Sequence, residues 1–192
     1  MKLSVFCGVS MDGFLARLNH KVDFLDAGGS KPHGFEEFYA SVDIIVIGRN
    51  TYEFVAGYGQ WLYGKKQVIV LSSRPIDFSW IKSGAVEQMS GTPARIVERL
   101  KARRFKHAYI DGGVTIQRFL AAGLIDRMIV TRVPVLIGAG MPLFGPVPRD
   151  IPLRHVATRT YKGGLVQSEY EIGRAPRAKK QAKKAARAQA AR

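Results

Sequence analysis

Four short segments hold the residues whose types and spacing could do chemistry, and three of them suit anion binding. In the first, the apolar run Ile44-Ile45-Val46-Ile47 turns at Gly48 into Arg49-Asn50-Thr51-Tyr52-Glu53. A strand that runs directly into a helix leaves the first N–H groups of that helix unpartnered, and the helix dipole adds positive potential there. Arg49 would contribute a charge and Thr51 a hydroxyl. An ordinary helix start capped by Asn50 or Thr51 is the alternative. In the second, Tyr109-Ile110-Asp111 leads through Gly112-Gly113 into Val114-Thr115-Ile116-Gln117. Paired glycines allow backbone to approach a pyrophosphate closely, although a simple tight turn uses the same residues. In the third, the run Val68 to Leu71 ends in Ser72-Ser73-Arg74-Pro75, two hydroxyls and a guanidinium that suit a phosphate monoester or a polar turn before Pro75. The fourth, Ser10-Met11-Asp12-Gly13, places one carboxylate in a turn, where it could transfer a proton or simply form the turn.

Other chemistries lack their residues. His20, His33, His107 and His155 are scattered and the chain has one cysteine, so no zinc cluster is expected and each His reads as a surface or helix-end residue. Neither a phosphate-binding Walker loop nor a Gly-x-Ser-x-Gly elbow occurs. Cys7 cannot form an internal disulfide, fits a reducing compartment, and reads as a small buried hydrophobe.

The elements that must position these segments follow from apolar patterning. Strand-length runs occur at 3–9, 44–47, 67–71, 107–110, 127–133 and 165–170, rich in β-branched residues as in strands buried on both faces. Between them, 34–41, 51–57, 93–104 and 115–122 carry helical spacing, such as Ile96 with Leu100 or Ile116 with Phe119 and Leu120. Alternation of strand and helix predicts an α/β fold with a mostly parallel central sheet and helices on both faces. The last stretches lack intervening helices, which predicts an antiparallel C-terminal edge.

The 192 residues suit one domain. The net charge of +15 is uneven: residues 173–192 carry eight Lys or Arg and no acid, leaving 22 basic against 15 acidic residues upstream. Domain limits of 1–172 and 173–192 are therefore expected, the second a basic tail unable to bury a core. The tail is a solubility segment or, alternatively, an arm for nucleic acid. No apolar stretch is long enough to span a bilayer and a strand-like run starts almost at Met1, so a cytoplasmic protein without membrane association is expected.

Taken in order, Ser10-Met11-Asp12-Gly13, Gly48 to Glu53, Leu71 to Pro75 and Asp111-Gly112-Gly113 resemble the dihydrofolate reductase superfamily. They resemble most its branch containing the reductase domain of the riboflavin-biosynthesis deaminase/reductase, which adds a stretch seen here as Gly123-Leu124-Ile125-Asp126 and then Pro134 to Phe144. The resemblance spans residues 2–172 and implies a three-layer reductase fold binding NADPH. Gly48, Arg49, Asn50 and Thr51 would lie at the phosphates, with Leu71, Ser72, Ser73 and Arg74 around the adenosine 2′-phosphate. Asp111, Gly112, Gly113, Val114 and Thr115 would hold the pyrophosphate, the glycine pair with a strained or cis peptide. Gly8, Val9 and Leu15 would line the nicotinamide, beside Asp12 and the helix 34–41. Folate reductases carry a Trp-Pro pair in the loop after the first strand, whereas residues 19–32 contain no Trp, and Glu36 or Glu37 only approximates the acid that grips their pteridine.

The expected activity is hydride transfer from NADPH to a C=N or C=O of a pteridine-like or ribosylated-pyrimidine-like small molecule, with Asp12, Glu36, Glu37 or water as proton source. The competing expectation is a non-enzymatic protein that binds NADPH as a sensor, or nucleic acid through the tail. The resemblance also implies a homodimer formed through late strands, around 127–133.

Overall fold

The computed structural model describes residues 1–28, 33–82 and 84–173; the basic tail lies outside the described residues apart from Gly173. Ten strands and four α-helices follow one another as β1 (Lys2–Ser10), β2 (Phe14–Ala16), a 3-10 helix (Asp23–Gly28), α1 (Phe35–Ser41), β3 (Ile44–Gly48), α2 (Arg49–Ala56), β4 (Gln67–Leu71), β5 (Ala85–Met89), α3 (Pro93–Ala102), β6 (His107–Asp111), α4 (Gly113–Ala121), β7 (Arg127–Val133), β8 (Met141–Pro142), β9 (Leu153–Tyr161) and β10 (Leu165–Ile172).

Eight strands form one sheet in the order β5-β4-β3-β6-β1-β7-β10-β9. The first six are mutually parallel, while β10 runs antiparallel to both β7 and β9. This is the α/β sheet with an antiparallel C-terminal edge that the patterning predicts. Side chains of successive residues point to opposite faces, so β3 contributes Ile45 and Ile47 to a core shared with Phe38 of α1 and Tyr52 and Val55 of α2. Ile44 and Val46 go to the other core, with Ile96 and Leu100 of α3 and Ile116 and Phe119 of α4. All four β3 residues are fully buried, which explains why the strand reads as a continuous apolar run.

Two sheet strands, β5 and β9, have no apolar run in the sequence. Both are edge strands, and the residues of β9 are mostly exposed; a strand with little surface against the core is under little pressure to be apolar. His107 also departs from its expected surface position. It sits half-buried in β6, with Nε2 2.8 Å from Ser4 Oγ and Nδ1 2.9 Å from the Ser41 carbonyl, and burial lowers its pKa.

Parallel strands place their carboxyl ends on one side of the sheet, where β3, β4, β6 and β1 end at Gly48, Leu71, Asp111 and Ser10. Ligand sites of open α/β sheets form there.

Candidate active site

Two helices start at this edge without side-chain caps. Gly48 is the N-cap of α2 and Gly112 the N-cap of α4, and neither start is closed by a side-chain hydrogen bond. The capping alternative, with Asn50 or Thr51 as cap, is not what the chain adopts, and both helices begin earlier than their apolar periodicity suggests. Glycine is needed at both N-caps for a reciprocal reason. A Cβ on Gly48 would lie 2.8 Å from Thr115 Oγ1 of α4, and one on Gly112 would overlap Thr51 Oγ1 of α2. Each helix thus sets a first-turn threonine in the space left by the other's glycine, which holds the two amide-rich ends side by side. Gly112 has φ +89° and no cis peptide occurs among the described residues, so the expected departure from ordinary backbone lies in the positive φ and not in a cis bond.

Both helix starts open into one cleft of about 530 Å³. Of the expected cofactor residues, Gly8, Leu15, Gly48, Arg49, Asn50, Thr51, Leu71, Asp111, Gly112, Gly113, Val114 and Thr115 line it. Leu15 lies over the second glycine, its Cδ1 3.3 Å from where a Cβ on Gly113 would be. Val9 is buried in the core.

Ser72, Ser73 and Arg74 form the turn after β4, beside the cleft. Arg49 builds that turn: its guanidinium donates to Ser72 Oγ at 2.8 and 3.0 Å and to the carbonyls of Arg74 and Pro75 at 2.6 and 2.8 Å. Gln88 Nε2 adds donations to the Ser72 and Arg74 carbonyls. Arg49 therefore spends its donors on shaping the loop, while the Arg74 side chain remains at the surface.

The three carboxylates expected as proton sources lie elsewhere. Asp12 is exposed, and its carboxylate accepts hydrogen bonds from Ser10 Oγ at 2.5 Å and from the amides of Gly138 and Ile137 at 2.8 and 3.1 Å. The Ser10 hydroxyl, followed by those amides, holds its pKa below the usual carboxylate value, so Asp12 tethers the 134–140 loop as an anion. Glu36 and Glu37 are exposed on α1 and outside the cleft lining.

The acid that does face the cleft is Asp111, at the end of β6. Its Oδ1 accepts the Gly112 amide at 2.8 Å, and the Tyr63 hydroxyl lies 3.4 Å from Oδ2. Burial raises its pKa against the opposing effect of these hydrogen bonds. Burial pushes the neighbouring Tyr63, Tyr109 and Cys7 up as well, so this corner of the cleft favours neutral groups. Tyr63, Tyr109, Phe6, Phe35 and Leu25 complete the wall on the α1 side, and sequence reasoning did not reach them. Tyr63 lies in a segment without periodicity, and the aromatic density of 52–63 is the one signal that could have drawn attention to it.

Comparison with known proteins agrees with this geometry. The family model described as the RibD C-terminal domain matches residues 1–167. The uncharacterized protein YwjB of Bacillus subtilis (strain 168) is 30% identical over 177 residues, covering 88% of this chain and 97% of that protein. The crystal structure of a Shewanella sp. PV-4 protein named for riboflavin biosynthesis is 34% identical with a TM-score of 0.82, covering 91% of this chain and 100% of that one. Dihydrofolate reductase from Enterococcus faecalis, complexed with NADP(H), shares the fold at a TM-score of 0.60 and 16% identity, covering 90% of this chain and 96% of that one. The parallel sheet, the paired glycine turns at its carboxyl edge and the match across nearly the whole described chain thus place the protein in the RibD C-terminal domain family.

Proposed function

We propose that this chain is an NADPH-dependent reductase that transfers hydride to a C=N or C=O of a small pteridine-like or pyrimidine-like substrate. The observation that carries the reading is the pair of uncapped helix starts locked together by Gly48–Thr115 and Gly112–Thr51 and opening into one cleft. A dinucleotide with two linked phosphates needs such convergent amides, and the missing Cβ atoms leave room for its close approach. The residues present fit that group. Amides at the start of α2 and of α4 would hold the phosphates, Ser72, Ser73 and Arg74 the 2′-phosphate, and Gly8 and Leu15 the nicotinamide. The chemistry such a cofactor supplies is the hydride.

The chain's own work is to orient the acceptor, exclude water and deliver a proton. Asp111 is the proton donor in this reading, in place of Asp12, Glu36 and Glu37, because it faces the cleft and its surroundings favour the protonated form at higher pH than usual. Tyr63 positions it. The relatives named for riboflavin biosynthesis and the Enterococcus faecalis reductase with NADP(H) support the class of reaction and of cofactor.

NADPH titration followed by intrinsic fluorescence, then a screen of flat heterocycles for loss of the nicotinamide absorbance band, tests the reading. Saturable NADPH binding with turnover on at least one of them is expected; a chain that does not bind NADPH is not this reductase.

A further inference from the structure

The cleft has two unlike sides. Towards α3 and α4 it is bordered by Gly91, Val114 and Arg118, beside the helix starts; towards α1 and α2 it is walled by Phe6, Leu25, Phe35, Tyr63, Tyr109 and Asp111. Resting on the reductase reading above, we infer that the second side is the substrate chamber, and that it takes a flat, unsaturated ring carrying no phosphate and selects against the phosphorylated form of the same ring.

Three observations carry this. The chamber walls are rings in edge-to-face contact, with Phe6 and Phe35 centroids 5.4 Å apart at 65° and Phe35 and Tyr109 6.3 Å apart at 68°. They form a rigid apolar frame against which a planar ring can pack. Its polar handle is the Asp111 carboxyl with the Tyr63 hydroxyl 3.4 Å away, which offers a ring nitrogen or carbonyl a donor and an acceptor. The charges are wrong for an anion. Among the described residues lining the chamber there is no Lys or Arg, and Lys66, at the edge of the α1 layer, donates to the Val42 carbonyl and stacks over Tyr39. A phosphate brought beside Asp111 would lose its hydration without gaining a cation, and it would meet a like charge whenever the carboxyl ionised. The chamber is also closed at its floor. A Cβ on Gly8 would lie 2.8 Å from Leu25 Cδ2, so the 3-10 helix sits directly on β1 and leaves no channel for a charged substituent to pass through.

The test uses a fluorescent pterin bearing a hydroxylated side chain and the same pterin phosphorylated on that chain, each titrated by anisotropy into the full-length protein with saturating NADP+. The unphosphorylated pterin should bind at least about tenfold more tightly, since 1.4 kcal/mol of uncompensated desolvation gives that ratio. Equal or tighter binding of the phosphorylated form, or binding of neither, overturns the inference. A separate NADP+ titration without pterin shows whether the cofactor reading itself stands. A Val22→Lys variant, which puts an ammonium at the rim beside the 3-10 helix, should narrow the preference at least threefold. An unchanged preference would mean that charge is not its cause and would overturn the inference too.

Discussion

At the residue scale the cleft depends on which carboxyl group keeps its proton. Asp111 has its ordinary value in the unfolded chain and a raised one in the fold, so folding favours its protonated form. The stability it contributes is complete at pH below the unfolded value and is lost as pH rises through the folded one. Asp111→Asn keeps an oxygen for the Gly112 amide and removes the titration. The difference in thermal stability between variant and parent, measured without cofactor, should therefore grow in favour of the variant from pH 4 to pH 8. The same substitution should lower kcat by about 10²-fold or more and abolish the alkaline fall of the rate, the size expected for a positioned acid, while NADPH affinity changes by no more than a few-fold. Arg74 and Arg49 separate contact from scaffolding. Arg74→Ala should weaken NADPH by about 10-fold to 100-fold and leave NADH unaffected, because a hydrogen bond to a charged group is worth about 1.5–3 kcal/mol. Arg49→Ala should cause the same selective loss indirectly, since the Ser72–Pro75 turn hangs on its guanidinium, and should also increase proteolysis within that turn. Equal losses for NADPH and NADH in Arg74→Ala would remove the 2′-phosphate assignment.

At the element scale, the paired starts of α2 and α4 form one mechanical unit. Gly112→Ala introduces a Cβ into Thr51 and forces a side chain onto φ +89°, and each is a source of strain. A loss of about 2–4 kcal/mol in denaturant unfolding is expected. Thr51→Ala in the same chain removes the overlap but not the unfavourable φ, so the double variant should recover only part of that loss. Full recovery would mean that backbone conformation contributes nothing at this turn; no recovery would mean that Thr51 does not touch it. The alternation that predicts these elements was legible because β3 and β6 are buried on both faces and must be apolar throughout. The starts of the helices were less so: Arg49 and Asn50 are polar residues inside α2 that the apolar period does not include, and they are helical because the chain turns at Gly48.

At the scale of the whole molecule, the sheet decides where a second copy can sit. The expected dimer contact at 127–133 falls on β7, which is paired on both sides, by β1 and β10, so its backbone is already used. We propose that pairing instead engages β9 and β10, where Leu153, Val156 and Val166 are large apolar residues at 47%, 42% and 38% exposure. Sedimentation of the parent should give a dimer and Val156→Lys should shift it towards monomer, while a parent that sediments as a monomer would end the proposal. Nearby, Gln167 is buried and donates to Thr131 Oγ1 and to the His33 carbonyl, both at 3.0 Å, tying the antiparallel edge to the backbone that leads into α1.

The amino-acid sequence by itself determined the α/β class, the parallel centre and antiparallel edge, and the anion-binding turns at Gly48 and Gly112. Each is written in local pattern: apolar period, a glycine at a strand end, a hydroxyl in the next turn. Tertiary structure alone decided that the two turns share one cleft, because Gly48 and Thr115, or Thr51 and Gly112, are more than sixty residues apart and meet only through the β3–β6 register. It also decided which carboxylate faces that cleft. Asp12 and Asp111 both adjoin a glycine after a strand, and nothing in their neighbours along the chain distinguishes them. One is drawn into the backbone amides of a distant loop, whereas the other is walled in by rings from β1, α1 and the segment before β4; a proton's affinity for a carboxyl depends on such surroundings, which folding assembles.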